Sequence, residues 1–479
     1  MIDLRDAKII AVEQIEARYP KDPPFHPSRA YPEYQGIIGA EENPVYEGVR
    51  QLFIDLGLDE ENIDTPQWNP LGELIRPNQQ VLLKPNIVLH KNYAGHSIDA
   101  VITHGSVIRA VADYALKALQ GTGRLIIGDA PIQECKFERA NQVSGLNRVV
   151  EFYKEQNLPV ELHDFRLVTS EDSLTGTRTR LAGDPSGYSY VNLSVKSEHQ
   201  AANDYSKFRV TNYDPLFMQN HHNHNKHEYI VANSVLKSDV IISIPKLKTH
   251  RKAGISISMK NLVGINGHKD CLPHHKKSSK EEGGDEYLFK SKLKEWATLL
   301  AEFEDTQKSE LIRFFTKIPS RLIYEIAKLI STDEYFEGSW WGNDTIWRTV
   351  IDLNKLLFYW NLERNELDTK QQISFMTIVD GVISGEGEGP IKPTPKPIGL
   401  LIGGFNPVAT DIVGARLMGF DWKKIPLLVN GIDRLANFPA EAITVISSRE
   451  QLRGKIVDNS LEKFFEFNSP QGWKGYIEL

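Results

Sequence analysis

Clustered lysines beside histidines and glycines are the strongest chemical signal in this sequence. They occupy Pro245–His250, which follows an apolar run, and Lys260–Lys269. Lysines at a strand end beside a glycine-bearing turn suit an anionic ligand, and a buried lysine can also act as a base or form a covalent adduct. We therefore predict catalytic roles for Lys246, Lys248, His250 and Lys260, and ligand contacts from Thr249, Asn261, Gly264 and His268. A solvated basic loop is the plainer alternative.

Two earlier blocks would contribute to the same anion site. Lys84-Pro85-Asn86 ends an apolar run, and Thr103-His104 stands at the start of a helical pattern. A strand-end lysine and the free N–H groups of a helix start both attract phosphate or carboxylate. We predict anion contacts from Lys84, Asn86, Thr103 and His104. The alternatives are a lysine that caps strand-end carbonyls, an asparagine that bonds its own turn, and simple N-capping by Thr103 or Ser106.

Acidic residues also follow predicted strands or open a predicted helix. Asp129 ends a strand next to a glycine, where a carboxylate binds a metal or a hydroxyl or caps a helix. The segment Asp380–Pro390 follows another strand, and its glycines let the backbone approach a ligand closely. We predict catalytic carboxylates at Asp380 and Glu386, ligand contacts at Gly385 and Gly387, and metal contacts at Asp129 and Asp411. For Asp411, stabilisation of the helix dipole is the alternative.

Histidines are concentrated in one part of the chain. Eight of the 14 fall within residues 221–275, and four of them lie in His221–His227. Imidazole is a common ligand for zinc, nickel and iron, so we predict metal contacts from His222 and His227. Their spacing matches no helical zinc motif, and an exposed polar loop is the alternative.

The composition excludes several classes of protein. Only two of the 479 residues, Cys135 and Cys271, are cysteines, too few for a four-cysteine iron–sulfur cluster, a zinc ribbon or a disulfide scaffold. Few cysteines and a start without an apolar core predict a cytoplasmic protein. The net charge of −7 argues against nucleic-acid binding. The cofactor stays open: histidine and oxygen ligands are compatible with a divalent metal, and no iron–sulfur cluster is expected.

Short apolar runs alternate with helical patterns, which predicts an α/β fold with a mostly parallel sheet flanked by helices. The predicted strands are Ala7–Val12, Gln80–Lys84, Arg124–Gly128, Pro159–Leu162, Val240–Ile244, Ser374–Val379, Ile398–Ile402 and Ala442–Ile446. Helices are predicted over Ser106–Leu119 and Pro407–Met418, the second with Asn406 as N-cap. Ligands of such sheets usually lie beyond the carboxyl ends of the strands, where the candidate blocks fall.

We divide the chain into an α/β body over residues 1–280, a mostly helical insertion over 281–372, and a return to α/β over 373–479 that completes the site. Within the insertion, Glu310–Ile330 alternates apolar residues with Arg313, Lys317, Arg321 and Lys328. Such a basic amphipathic helix suits a membrane surface or a lid. A helix packed on the main sheet is the alternative, and Pro319 would kink or divide it.

These blocks together resemble the family called domain of unknown function 362. The resemblance rests on Lys84-Pro85-Asn86, Thr103-His104, Gly128-Asp129, Pro245–His250, Lys260–Gly264, Asp380-Gly381 with Gly385-Glu386-Gly387, and Pro407–Asp411. It implies an α/β fold and an enzymatic or redox role. Many relatives carry ferredoxin-type cysteine motifs that this sequence lacks, so the iron–sulfur label does not transfer, and Asn406 stands where relatives often have aspartate. Pro245–His275 is also distantly similar to nickel-pincer lactate racemases.

The predicted function is an enzyme that acts on an anionic small molecule, phosphorylated or carboxylated, through acid–base chemistry with or without a metal. Isomerase-like, racemase-like and transferase-like reactions all stay open. The alternative is a non-catalytic module that binds anionic glycan or lipid head groups at a membrane surface, with the insertion as its contact. The sequence leaves the substrate and the oligomeric state open.

Overall fold

We describe the chain from a computed structural model. It describes residues 7–170, 178–202, 204–211, 214–306, 322–323, 325–327, 333–455 and 465–479. The predicted amphipathic segment Glu310–Ile330 lies mostly outside the described residues.

A large, mostly parallel β-sheet forms the centre of the molecule, which confirms the predicted α/β class. Its strands are β1 (Ile9–Gln14), β2 (Gln80–Pro85), β3 (Arg124–Asp129), β4 (Val160–Asp164), β5 (Val240–Ile244), β6 (Lys246–His250), β7 (Gly254–Ser256), β8 (Ser374–Glu388), β9 (Lys392–Gly404), β10 (Thr444–Ile446) and β11 (Gly454–Lys455). Across the sheet they run β11-β10-β1-β9-β8-β5-β2-β3-β4, and β6 continues the path of β5 along β8 with β7 beside it.

Each predicted apolar run lies on one of these strands, because continuous apolar sequence suits strands that are covered on both faces. β2 to β5 and the first part of β8 are parallel. Among the eight runs, the one on β9 is the antiparallel exception, since β9 is antiparallel to both β1 and β8. β8 and β9 form a long hairpin that turns at residues 389–391, so the predicted loop Asp380–Pro390 is mostly strand.

Helices cover both faces of the sheet. They are α1 (Pro44–Asp55), α2 (Gly105–Leu119), α3 (Phe137–Val143), α4 (Leu146–Glu155), α5 (Pro215–His221), α6 (Asn233–Leu236), α7 (Ser258–Asn261), α8 (Lys292–Thr306), α9 (Ile346–Tyr359), α10 (Pro407–Leu417) and α11 (Pro426–Gly431). The predicted helices correspond to α2 and α10, and the Asn406 side chain caps α10 as expected, accepting from Val408 N and Ala409 N. No helix in the described parts of the chain is long and apolar enough to cross a bilayer.

Alternate residues of the strands enter separate cores, as the two-residue period of a strand requires. Leu83 packs with the apolar faces of α1, α2 and α4, whereas its neighbour Leu82 packs with α9. A third core joins α10 and α11 to Val12 of β1 and Ile402 of β9. The sheet is therefore held rigidly between helical layers, and its polar strand ends have fixed positions.

Small two- and three-stranded sheets lie outside the central sheet. Their strands are Tyr188–Asn192 and His222–Asn223 on either side of Lys226–Ala232, then Phe208–Arg209 with His275–Lys276, Val168–Thr169 with Thr179–Arg180, and Trp360–Asn361 with Glu366–Leu367. The predicted insertion over 281–372 contains α8, α9 and the last of these small sheets. The histidine run, for which an exposed loop was the alternative to a metal site, ends α5 and forms a tight hairpin.

Candidate functional site

The carboxyl ends of β2, β3 and β5 meet at one edge of the sheet. Lys84 lies at the end of β2, Asp129 at the end of β3, and Pro245 follows β5. Proline cannot donate a ladder hydrogen bond, and at Pro245 the strand path breaks and resumes as β6. β6 then pairs with β8 so that Lys246 stands opposite Asp380. The topology therefore collects lysines and acids from four strands at this edge.

A buried ion pair joins β2 to β3. The Lys84 ammonium lies 2.7 Å from Asp129 Oδ1 and also donates to Pro85 O and Asn261 Oδ1. The other carboxylate oxygen of Asp129 accepts from Ile87 N at 2.6 Å. Gly264 closes over this pair, and a Cβ there would lie 1.9 Å from Asp129 Oδ1. Only glycine fits at this position, which gives a steric reason for the glycine in the predicted motif.

A second buried ion pair joins β6 to β8. The Lys246 ammonium lies 2.7 Å from Asp380 Oδ2 and 2.7 Å from the Tyr19 hydroxyl, which in turn donates to Asp380 Oδ1 at 2.6 Å. His104 N donates to Asp380 Oδ2 at 3.0 Å. The Tyr19 ring stacks on the His104 ring with centroids 4.0 Å apart. We assigned no role to Tyr19 from sequence, because no motif marks a tyrosine so far along the chain from its partners.

His104 begins α2 as its N-cap, a role that we had offered only to Thr103 or Ser106. Its Nδ1 accepts from Ser106 N, and burial lowers the pKa of His104 to about 4. Thr103 instead joins two strand ends: its hydroxyl donates to Ile244 O at 2.6 Å and accepts from Asn86 N at 2.9 Å. The helix start is therefore held to the sheet edge by side chains of the predicted blocks.

The buried lysines at this edge form what we call the lysine group: Lys84, Lys246, Lys248, Lys260 and Lys269. Within it, Lys248 and Lys260 have no carboxylate partner in the described residues. The Lys248 ammonium donates to Asn86 Oδ1 at 2.6 Å and to Val101 O. Burial, then the charges of Lys246 and Lys260, hold the pKa of Lys248 well below its usual value. Lys260 has neither an ion pair nor a hydrogen-bond acceptor among the described residues. Burial, then the Lys84 charge, lower the pKa of Lys260 to about 8.

Two buried histidines lie close enough to Lys260 for its charge to lower their pKa, and they differ in hydrogen-bonding capacity. His250 Nδ1 accepts from Lys252 N and Ala253 N, so its proton lies on Nε2. His274 Nδ1 donates to Leu272 O at 2.6 Å, which leaves Nε2 as an acceptor. Burial first, and the Lys260 charge second, lower the pKa of both rings well below the usual value. The surroundings of Lys260 therefore include one imidazole donor and one imidazole acceptor.

Lys269 belongs to the same group, although we assigned no role to it or to His274 from the sequence. Its ammonium donates to Val263 O and Asn266 O. Burial lowers the pKa of Lys269 to about 7, and the Lys84 and Lys260 charges act in the same direction. Both residues lie within residues 241–280, which hold nine lysines and arginines and only one acid, Asp270. This density of positive charge is the sequence feature that could have pointed to them.

Comparison with known proteins identifies the family. The family described as Domain of unknown function (DUF362) matches residues 81–203 and 172–416. The chain belongs to the DUF362 family. Every predicted site residue, from Lys84 to Asp411, falls inside these matches, whereas Tyr19 precedes them.

Two further similarities are more distant. Thylakoid-associated protein sll1697 from Synechocystis sp. is 22% identical over 392 residues, which cover 81% of this chain and 78% of the relative. A crystal structure of a Thermotoga maritima protein is 12% identical and aligns with 75% of this chain and 56% of its own, so this chain spans little more than half its length. The TM-score of 0.31 does not establish a common fold.

The DUF362 residues Gly385, Glu386 and Gly387 lie along the hairpin, where Gly385 stands opposite Lys248 of β6. Glu386 accepts from Lys396 Nζ, Asn468 N and Asn468 Nδ2, so it fastens residues 465–479 to the hairpin. Thr249 donates to Gly387 O, and a Cβ on Gly385 would lie 2.7 Å from Ala100 O. These contacts give the predicted catalytic Glu386 and the predicted ligand contacts a visible structural role.

His268 also departs from its predicted place beside the anion. Its ring stacks on Phe217 with centroids 4.0 Å apart, and its Nδ1 lies 3.8 Å from Asp270 Oδ1. Its contacts are therefore with α5 and an acid of its own loop.

The four predicted metal ligands of this DUF362 chain lie in three different surroundings. Asp129 is paired with Lys84. Asp411 points to the start of α7, where it accepts from Ser258 N at 2.6 Å and Met259 N at 3.0 Å, and burial raises its pKa to about 8. Among the described residues, no group of three or more histidine, cysteine, aspartate or glutamate side chains could hold a metal ion.

His222 and His227 do meet, as buried rings with their Nδ1 atoms 3.3 Å apart. His199, which we did not single out, completes the cluster, with its ring centroid 5.7 Å from that of His222. His222 Nε2 donates to Cys271 O, so its Nδ1 accepts from His227 Nδ1. His227 Nε2 is then a lone pair that has no hydrogen-bond partner in the part of the chain that the structure describes. Burial lowers the pKa of His222 to about 3 and that of His227 to about 4.

Because His222 and His227 are neutral in the folded protein, the free energy of unfolding should fall as the pH is lowered. Because their folded-state pKa lies below the unfolded value of about 6.5, the unfolded chain binds more protons below that pH. Stability is thus complete above about pH 6.5 and falls toward the folded-state values. We expect each ring to cost about 2 kcal/mol of unfolding free energy between pH 7 and pH 5, as measured by urea denaturation.

A His222→Gln, His227→Gln double variant should lose the part of the pH dependence that these two rings contribute, about 4 kcal/mol between pH 7 and pH 5, even if it is less stable at pH 7. Exposed His96→Gln is the control and should keep it. An unchanged pH slope in the double variant would contradict the assignment.

Proposed function

We propose that this protein binds an anionic small molecule, phosphorylated or carboxylated, at the carboxyl edge of its sheet and acts on it as an enzyme. One observation carries the proposal: Lys248, Lys260 and Lys269 are buried together, and none forms an ion pair among the described residues. Lysine is rarely buried unless it is paired. A bound anion would supply the missing negative charge.

The charge balance of the group supports an anion over a cation. Asp129 is matched by Lys84 and Asp380 by Lys246, so both carboxylates are already neutralised. The remaining lysines also repel one another: burial first, and then the charges of neighbouring lysines, lower the pKa of Lys248 and of Lys260. A phosphate or carboxylate among them would relieve that repulsion and gain charge-assisted hydrogen bonds.

Lysine and histidine can supply the acid–base chemistry. A lysine with a pKa of about 8 exchanges protons near neutral pH, and His250 and His274 offer a donor and an acceptor beside it. The Lys246–Tyr19–Asp380 network holds the second strand pair in place. We therefore assign acid–base work to Lys260 before any metal, since the predicted metal ligands Asp129 and Asp411 are engaged by a lysine and by backbone N–H groups.

The sequence likeness of Pro245–His275 to nickel-pincer lactate racemases adds hydroxy carboxylates to the candidate substrates and racemisation to the candidate reactions. Transferase-like and isomerase-like reactions fit the same residues. We place the activity in the cytoplasm and expect no nucleic-acid partner.

Binding of simple anions tests the proposal directly. We expect inorganic phosphate to raise the Tm more than chloride at equal ionic strength, because a ligand stabilises the folded state that binds it. Lys260→Met or Lys248→Met should weaken the apparent phosphate affinity about tenfold or more, the loss of one charge-assisted contact. The measurement is Tm against concentration of phosphate, with acetate as a carboxylate probe.

The matched control is Lys237→Met, an exposed lysine before the amino end of β5. It should leave the phosphate dependence unchanged. If neither phosphate nor acetate stabilises the wild-type protein beyond chloride, or if Lys237→Met has the same effect as Lys260→Met, the anion site is not there.

A membrane-surface role is the second candidate, favoured by α8. Trp296, Leu299 and Phe303 share one helical face and are 66%, 52% and 49% exposed, which is unusual for large apolar side chains placed together. The similar Synechocystis protein is named as thylakoid-associated. In this role the apolar face of α8 would lie in the interface of a bilayer.

Vesicle co-sedimentation tests the second candidate. Vesicles of phosphatidylcholine and phosphatidylglycerol should bind the wild-type chain, and replacing Trp296, Leu299 and Phe303 by serine should reduce binding at least about tenfold, since each inserted apolar side chain is worth about 1.5–3 kcal/mol. Tyr190→Ser with Val195→Ser, equally exposed apolar sites elsewhere, is the control. Equal vesicle binding by the α8 variant and the control would show that α8 is not the membrane-binding surface.

A further inference from the structure

We propose that Lys260 is a nucleophile that forms a covalent imine with the carbonyl carbon of an anionic aldehyde or ketone. This inference rests on the proposed function and sharpens it, because it names the substrate class as a phosphorylated or carboxylated carbonyl compound. It also separates the roles of the lysines: one reacts, and its neighbours hold the anionic group.

The backbone on either side of Lys260 is firmly fixed. Ser258 N and Met259 N donate to the buried Asp411 carboxylate, and Asn354 donates to Met259 O. The Asn261 side chain donates to Lys84 O and to Ser243 Oγ. The backbone that carries Lys260 is thus positioned by contacts to four other elements, as a reacting group must be.

The Lys260 amine, in contrast, is uncommitted. Each of its buried lysine neighbours has acceptors: Lys84 and Lys246 have carboxylates, Lys248 has Asn86 Oδ1, and Lys269 has two carbonyls. Among the described residues Lys260 has none. A lysine that donates to nothing is easily deprotonated, and its lone pair is then free to attack.

The surrounding charges favour a carbonyl compound that carries an anion. Lys84, Lys248 and Lys269 are near enough to Lys260 for their charges to act on one another's pKa. They would bind the phosphate or carboxylate and hold the carbonyl carbon against the Lys260 amine. Burial, and then the positive charge of Lys84, also keep part of Lys260 neutral near pH 8, as a nucleophile requires.

The step conserves atoms and electrons without a further reactant. The neutral Nζ forms a bond to the carbonyl carbon as the C=O π bond breaks, and one proton passes from nitrogen to oxygen to give a neutral carbinolamine. The carbinolamine then takes up one proton from solvent and loses one water, which leaves a protonated imine. His250 Nε2–H is a donor for the oxygen, and His274 Nε2 is an acceptor for the proton that leaves nitrogen. Nothing is oxidised or reduced, and the iminium is an electron sink for loss of a proton from the adjacent carbon.

Reductive trapping tests the inference on the full chain. Pyridoxal 5′-phosphate is the probe, because it joins an aldehyde to a phosphate, and borohydride makes its lysine adduct permanent. Peptide mapping should find Lys260 labelled at least about tenfold more than any other single lysine, with labelling that rises with pH toward about 8 and is suppressed by inorganic phosphate.

Lys260→Arg is the decisive variant, since it keeps the positive charge but cannot form the imine. It should lose the labelled peptide and still be stabilised by phosphate, and Lys237→Arg should label as wild type does. Should Lys260→Arg fail to fold, the distribution of label on the wild-type chain decides alone.

The outcomes separate the two proposals. Phosphate stabilisation with label spread over exposed lysines would overturn the imine and leave the anion site standing. Absence of both phosphate stabilisation and selective labelling would overturn both.

Discussion

The molecule depends on two buried ion pairs at the carboxyl edge of its sheet. Lys84 with Asp129 joins β2 to β3, and Lys246 with Asp380 joins β6 to β8. Removing one partner of such a pair typically costs about 3–5 kcal/mol, because the other is left charged and buried. Both pairs are also bound from outside the strands, by Asn261 and by Tyr19. They fix the positions of the strand ends on which the lysine group is built.

The pairs also explain why the remaining lysines are available for function. With Asp129 and Asp380 engaged, no carboxylate is left for Lys248 or Lys260 in the described residues. Packing on both faces of the sheet keeps water from solvating their charges freely, and their pKa values fall as a result. Perturbed pKa values of this kind are common where a protein binds or transforms a ligand.

Much of the frame could be predicted from sequence because it depends on local pattern. The apolar run Val240–Ile244 is a strand with the predicted bounds, and Asn406 caps its helix as its position before proline indicates. The parts that could not be predicted depend on contacts between distant segments. Tyr19 meets Asp380 across most of the chain, and Asp411 serves α7 rather than its own helix. A sequence shows that Glu386 is acidic and lies among glycines, but it does not show that Asn468 donates a hydrogen bond to the Glu386 carboxylate.

The proposed function requires that Lys260 is buried, that no carboxylate neutralises its charge, and that an anion can reach it. ¹³C NMR of lysine-labelled protein, with the Lys260 Cε signal assigned from Lys260→Arg, measures this directly. We expect the signal to titrate with a midpoint of about 8 and the midpoint to move upward in saturating phosphate. A midpoint near 10.5, the value for free lysine, or a midpoint that phosphate does not move, would contradict the account.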